Sequence, residues 1–574
     1  LELDVSIPVF GAGLVEGELL RHIAGWPNRA FIGLCQFRTC ESRNCRSASQ
    51  SEFNESIRSL TFGENRTVFA APALHFDSSS ESDDAFGDLK EAIRLDPKDR
   101  WPFLLRGGLY VEQGQFAKAI DDPSVAIKMD PKDDNALNER GRAFMGLQEY
   151  DKAALDFTEA IQLNPKAKFA IANRGVIRQL RKETDKAIAD YSAALELDPK
   201  FAFALFRRGS MFLNKGENKK AIDDFTATLQ VEPKHADALN DRGVAWNRLG
   251  DKDKALADFS QAAAINPRHK VALANRADIL RDREEFANAL AGYDAAIAVD
   301  PAYVYALNNR GITHYKMRNY AKAIEDYTEA VRISPEFRWA FSNRGDAWRD
   351  QGEYSKALAD YEAAIKIEPK YTYALNAMGI ARFRMKEYDQ AIAAFSETIK
   401  VDPNYKWAFA NRGDCWGKKK DYDKAIAEYD LALKIDPKYV YAICAKGTAW
   451  LRTGQYDKAK AAFEEAIHTD EKSWFGYGDL AWLMAVCPDA KFRDGKKAVE
   501  LATKAAEMTK WKDASALSVL AAAYAEAGDF AKAVEWQTKA CELVLPYLRD
   551  EYNKHLKGFK EKKPRREEVE AKKA

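Results

Sequence analysis

Arginines recur through this chain at intervals of 34 residues: Arg106, Arg140, Arg174, Arg208, Arg242, Arg276, Arg310, Arg344 and, one interval skipped, Arg412. Sixteen residues after eight of these nine stands a carboxylate: Asp122, Asp156, Asp190, Asp224, Asp258, Asp326, Asp360 and Glu428. The exception sets Arg276 against Gly292. Where Met378 and Lys446 replace the arginine, Ala394 and Ala462 replace the acid. A guanidinium and a carboxylate form parallel charge-assisted hydrogen bonds, and their joint loss marks them as partners. Pairing each acid with the following arginine fits worse, because Asp360 would then face Met378. Arg310–Asp326, Arg344–Asp360 and Arg412–Glu428 are therefore expected to be structural ties. The competing reading is a basic ladder for phosphates. Under the first reading, Asp326→Ala lowers the melting temperature and leaves every binding surface intact.

Within the same interval, with arginine at position 7, position 6 carries Asn173, Asn275, Asn309, Asn343 and Asn411. An amide both donates and accepts, so a row of them could grip an extended peptide main chain without reading its sequence. The row is interrupted at Glu139, Arg207, Asp241, Ala377 and Ala445. Position 2 is aromatic at Trp101, Phe169, Phe203, Tyr305, Trp339, Tyr373, Trp407, Tyr441 and Phe475. Two residues earlier stand Phe201, Tyr303, Phe337, Tyr371, Tyr405 and Tyr439. Such pairs serve as interface anchors, or they pack over the preceding turn. Lys316, Arg384, Lys418 and Arg452 add basic character to the stretch of the later aromatic pairs.

Chemistry of other kinds has little to work with. No glycine-rich phosphate loop, nucleophile elbow or metal-spaced His/Cys set is present, so no catalytic residue, metal or cofactor is expected. The seven histidines are dispersed. Cys35, Cys40 and Cys45 stand five apart, wider than the usual gaps between zinc ligands. The later cysteines, Cys415, Cys444, Cys487 and Cys541, sit singly in helical pattern and read as small core residues.

The elements that position these residues are helices. Eleven of the 19 prolines, from Pro97 to Pro437, fall at one phase of the interval. Each follows a helical pattern that proline cannot continue. Position 8 is glycine in ten units, with Ala277 in the other, and position 20 is alanine throughout. Position 24 supplies bulk, as in Phe157, Tyr191, Phe225, Tyr327, Tyr361 and Phe463. Small residues let two helices approach, and the aromatics are expected to fill the space between neighbouring repeats. Pro123 breaks the aromatic series, so the helix that carries it is expected to kink or shorten.

Small residues at 8 and 20, aromatics at 17 and 24 and proline at 32 resemble the tetratricopeptide repeat signature over about residues 85–545. The likeness is to a bacterial-type array of about 13 repeats. It implies an all-α, right-handed α-solenoid (a superhelix) of helix–turn–helix units, with the first helix of each unit lining a concave face. On that likeness, positions 2, 5, 6, 9, 12 and 13 face the groove. The asparagine row is similar to the ladder inside the superhelix of eukaryotic O-linked N-acetylglucosamine transferases. The carboxylate clamp of chaperone adaptors needs lysine at position 5 and asparagine at 9, and no unit supplies both.

The boundaries follow from the period. Residues 1–84 read as an irregular leader, 85–99 as a half-repeat cap and 100–473 as eleven 34-residue units. Residues 474–546 read as two divergent units, and 547–574 as a capping helix with a charged tail. Basic and acidic residues cancel, 88 against 88, so the global footprint of a nucleic-acid binder is missing. No apolar run is long enough for a transmembrane helix. The expectation is a soluble, cytoplasmic protein, with export left open because the chain begins at Leu1 rather than methionine. Its expected role is a noncatalytic scaffold binding a protein or peptide in its groove. The alternatives are a regulatory or targeting subunit of an enzyme such as a glycosyltransferase, and a structural spacer. Neither oligomeric state nor partner identity is specified by these patterns.

Overall fold

A computed structural model describes residues 79–544 and 548–567. The irregular leader expected at 1–84 falls almost wholly outside them, as do Cys35, Cys40 and Cys45. The described chain opens with a helix at Ser79–Leu95, a few residues before the repeat pattern becomes readable. All of its regular structure is helical. The contacts divide it into two compact units, residues 1–300 and 301–574.

The first unit holds six helix pairs, from Trp101–Glu112 with Phe116–Met129 to Lys270–Asp282 with Phe286–Val299. The second holds five regular pairs, from Val304–Lys316 with Tyr320–Ile333 to Val440–Arg452 with Tyr456–Thr469. It continues with Trp474–Val486, a short 3-10 turn at Ala490–Phe492 and Gly495–Met508. Ala514–Glu526, Phe530–Leu543 and a last helix, Arg549–Lys560, complete it. The turn inside each pair ends the first helix with a left-handed residue. In the pair Val304–Lys316 and Tyr320–Ile333 this is Arg318, at φ 58°. Its N–H donates to the Tyr315 carbonyl at 2.8 Å and the next, from Asn319, to His314 at 2.9 Å. Those bonds occupy carbonyls that the helix end leaves open.

The core repeats with the sequence. Phe157, Tyr191, Phe225, Phe259, Tyr293, Tyr327, Tyr361, Phe395 and Phe463 are fully buried. Each of these rings except Tyr293 lies where a side chain on the facing glycine would be: a Cβ on Gly311 would come within 2.6 Å of Tyr327 Cε1. The one unit with alanine at that place resolves the conflict by exchange. Ala277 carries the methyl, and its partner helix gives way at Gly292, where a Cβ would stand 2.9 Å from that methyl. This exchange removes the acid expected opposite Arg276, whose buried Nε has no hydrogen-bond partner. For Pro123, shortening is the part of the expectation that the structure overturns. The helix Phe116–Met129 has the same 14 residues as its counterparts, so the proline does not shorten it. Its ring occupies the aromatic seat against Gly107.

Candidate functional site

The eight arginine–carboxylate pairs close within their own helix pairs at 2.5–2.9 Å. Arg310–Asp326 stands at 2.5 Å, Arg344–Asp360 at 2.7 Å and Arg412–Glu428 at 2.9 Å. In four units the remaining guanidinium nitrogen donates to a hydroxyl of the preceding one: Arg208 to Ser192, Arg242 to Thr226, Arg344 to Thr328 and Arg412 to Ser396. The forks of Arg208, Arg242 and Arg344 are thus filled from inside the protein, whereas Arg412 keeps a buried Nε without a partner. Asp360 shows the electrostatic balance. Burial raises its carboxyl above the usual range, and Arg344 recovers only part of that cost.

The asparagines are engaged with one another. Asn173 donates to Asn138 at 3.0 Å, Asn275 to Asn240 at 3.0 Å, Asn343 to Asn308 at 2.9 Å and Asn411 to Asn376 at 3.1 Å. Each bond joins position 6 of one unit to position 5 of the unit before, so the amides clasp consecutive first helices. Asn309, nearly fully buried, accepts from Asn308 at 3.2 Å. The partner asparagines were absent from the sequence-level candidates. Their signal was present all the same, because every position-5 asparagine has another 35 residues later. Cys444 and Asp479 occupy the same pair of places and interact there, with burial pushing the Asp479 carboxyl up to about 7.

Several aromatic tips are engaged too. Asp346 accepts from the hydroxyls of Tyr361 (2.7 Å) and Tyr373, and from Arg349 at 2.7 Å. Asp414 accepts from Tyr429 at 2.8 Å and Tyr441 at 2.6 Å. Burial raises the Asp414 carboxyl to about 6 despite those two donors. The aromatic pairs meet at ring-centroid distances of 5.1–6.0 Å, as in Tyr303 with Tyr305 and Tyr405 with Trp407. Arg338 lies over Trp339 at 3.9 Å and pairs with Glu368 at 2.7 Å. Lys406 does the same for Trp407 and Asp436. Trp407 nevertheless stays 42% exposed, which makes it an aromatic available to a ligand. Lys316, Arg384 and Lys418 are exposed, whereas Arg452 pairs with Glu567 near the end of the chain.

Family models described as tetratricopeptide repeat match residues 134–167, 179–229, 212–269, 304–337, 376–440 and 440–473. One described as TPR repeat matches 277–317 and 345–386. The chain belongs to the tetratricopeptide repeat family. A search of curated proteins found no match. Among solved structures, MamA is 23% identical, with 28% of this chain and 95% of that one covered and a TM-score of 0.26. A tetratricopeptide repeat protein from Parabacteroides merdae is 21% identical over 43% and 98%, with a TM-score of 0.36. YrrB, titled a TPR protein with an unusual peptide-binding site, is 23% identical over 32% and 95%, with a TM-score of 0.27. These likenesses concern the fold alone.

As a tetratricopeptide repeat array, the chain is a protein-interaction scaffold in kind. Within each compact unit most consecutive first helices meet, as Val304–Lys316 does Arg338–Asp350 and Val440–Arg452 does Trp474–Val486. Second helices do not meet one another to a like extent. Among the described residues no cluster is able to hold a metal ion, and no helix is long and apolar enough to cross a membrane.

Proposed function

We propose that this protein is a noncatalytic scaffold that binds a segment of a partner protein on the face formed by its first helices. The observation that carries this reading is the meeting of first helices, which presents a row of helix surfaces to one ligand. On that face Trp407 offers an exposed ring, of the kind enriched among interface anchors. Lys316, Arg384 and Lys418 add positive charge to the same stretch of repeats. Asn173, Asn275, Asn343 and Asn411 serve this reading indirectly, by fixing the spacing of the helices that bear the ligand-facing groups, while Asn309 accepts from Asn308 of its own helix.

A photo-crosslinking residue placed at Trp407 tests the proposal against the same residue at Leu431. The two positions are equally exposed, at 42%, and lie on the first and second helices of one repeat. Crosslinks to a partner at 407 and none at 431 are expected. The reverse pattern would move binding to the opposite face and overturn the proposal.

A further inference from the structure

After the last helix the chain turns at Lys562, in the left-handed region at φ 55°, and continues without regular structure through Lys563–Glu567. This segment lies across the C-terminal ends of three consecutive first helices, Val440–Arg452, Trp474–Val486 and Ala514–Glu526. Its contacts are of a kind that recognises a peptide. The Glu567 N–H donates to the Val486 carbonyl at 2.8 Å. The Glu567 carboxylate is buried, taking the Trp482 indole N–H at 3.1 Å and pairing with Arg452. Arg566 pairs with Glu526 at 2.7 Å and donates to the Ala485 carbonyl at 3.3 Å. Arg565 stacks its guanidinium over Trp482 at 4.6 Å.

The receptor side of these contacts is supplied by the repeats. Arg452, Trp482, Val486 and Glu526 sit at groove positions 13, 9, 13 and 13 of their units. Carbonyls at a helix C-terminus lack intrahelical partners and carry the negative end of the helix dipole, which suits an arginine donor. Upstream, such a carbonyl is served from within the array: Arg248 donates to the Leu213 carbonyl at 2.6 Å. At the corresponding place in the last repeat stands Glu526, an acceptor that Arg493 also pairs with at 3.0 Å, and the donor to the Ala485 carbonyl arrives from the C-terminal segment instead.

We propose that Arg565–Glu567 is a tethered occupant of a peptide-binding site made by Arg452, Trp482, Val486 and Glu526. The same site takes an extended partner segment in which arginine directly precedes a carboxylate residue. Order matters, because the cationic group must reach Glu526 while the following carboxylate reaches Arg452 and the indole. A short tether holds its ligand at an effective concentration of about a millimolar, so the occupant competes with any partner of only micromolar affinity. This inference rests on the first-helix face as the binding face and names the chemistry that its last repeats read.

The test uses the full chain and a labelled synthetic peptide, Lys-Lys-Pro-Arg-Arg-Glu-Glu-Val-Glu, which copies residues 562–570. The tail is released in the full chain by Arg566→Ala with Glu567→Ala, and fluorescence anisotropy reads binding. The released chain is expected to bind the peptide at least ~10-fold more tightly than the unaltered chain. Adding Arg452→Ala, or Trp482→Phe, which keeps the ring and loses the N–H, is expected to reverse the gain. A peptide with the arginines and the first glutamate exchanged in order should bind weakly. Equal affinity of released and unaltered chains overturns the proposal. So does binding indifferent to Arg452→Ala or to peptide order, with circular dichroism verifying that each variant is folded. If the peptide fails while position 407 still crosslinks a partner, the tethered-occupant inference falls and the wider scaffold reading stands.

Discussion

Removing Asp360 exposes what the arginine ties contribute. Arg344 Nε donates to Asp360 at 2.9 Å and Nη2 donates at 2.7 Å, a bidentate geometry with the side chains 16% and 8% exposed. Asp360→Ala strands the guanidinium beside a pocket it cannot leave, with Thr328 as a remaining partner at 3.1 Å. Breaking a fully buried pair on one side costs about 3–5 kcal/mol. Partial exposure of Arg344 lowers the expectation here to about 2–4 kcal/mol. The chain contains its own control in Met378 and Ala394, which fill the same two places without charge. Arg344→Met combined with Asp360→Ala should therefore recover most of the loss, to within about 1 kcal/mol of the unaltered chain. Repeat arrays need not unfold in one step. Hydrogen exchange of amides in residues 338–371, read by mass spectrometry beside a urea titration, reports the local value. Protection unchanged in the single variant, or no better in the double than in the single, would refute the tie.

Gly292→Asp by itself should destabilise its repeat, because the new Cβ would press on the Ala277 methyl. With Ala277→Gly in addition, Arg276 gains a carboxylate, and urea unfolding should show the double variant more stable than the single. Asn343→Ala should cost about 1–3 kcal/mol in thermal or urea unfolding, because the buried Asn308 carbonyl loses its donor. For the same reason, loss of a partner on changing Asn343 or Asn411 would mix a binding effect with a structural one. Asp479 carries a pH signature. Its folded pKa, raised by burial to about 7 from 3.8, means that the native state holds the proton more tightly than the unfolded chain. The associated stability is complete below about pH 4 and is lost as pH rises through about 7. Asp479→Asn should match the unaltered chain at pH 4 and exceed it at pH 8 by about 2–4 kcal/mol, the lower end being favoured because the residue as a whole is only half-buried. Melting curves that stay parallel across that range would contradict the assignment.

The period alone determined much of this protein. Proline at position 32, glycine at 8, alanine at 20 and an aromatic at 24 are steric demands of two closely packed helices, and such demands are local. They can be read from one chain because each unit repeats them. The arginine–carboxylate spacing was legible for the same reason, since both partners lie within one unit and vary together. Tertiary structure decided what depends on contacts between units. Asn173, Asn275, Asn343 and Asn411 look like free amides in a single repeat, yet stacking places each beside an asparagine of its neighbour. Tyr373 and Tyr441 look like anchors until Asp346 and Asp414 of the preceding repeats take their hydroxyls. Arg452 reads as a surface charge, and only the returning segment reveals Glu567 beside it, more than a hundred residues away in sequence. A repeated pattern fixes the shape of a unit through sterics that each unit carries within itself. Which polar groups remain for a ligand is settled by stacking, because burial and a second partner arrive together from the next repeat.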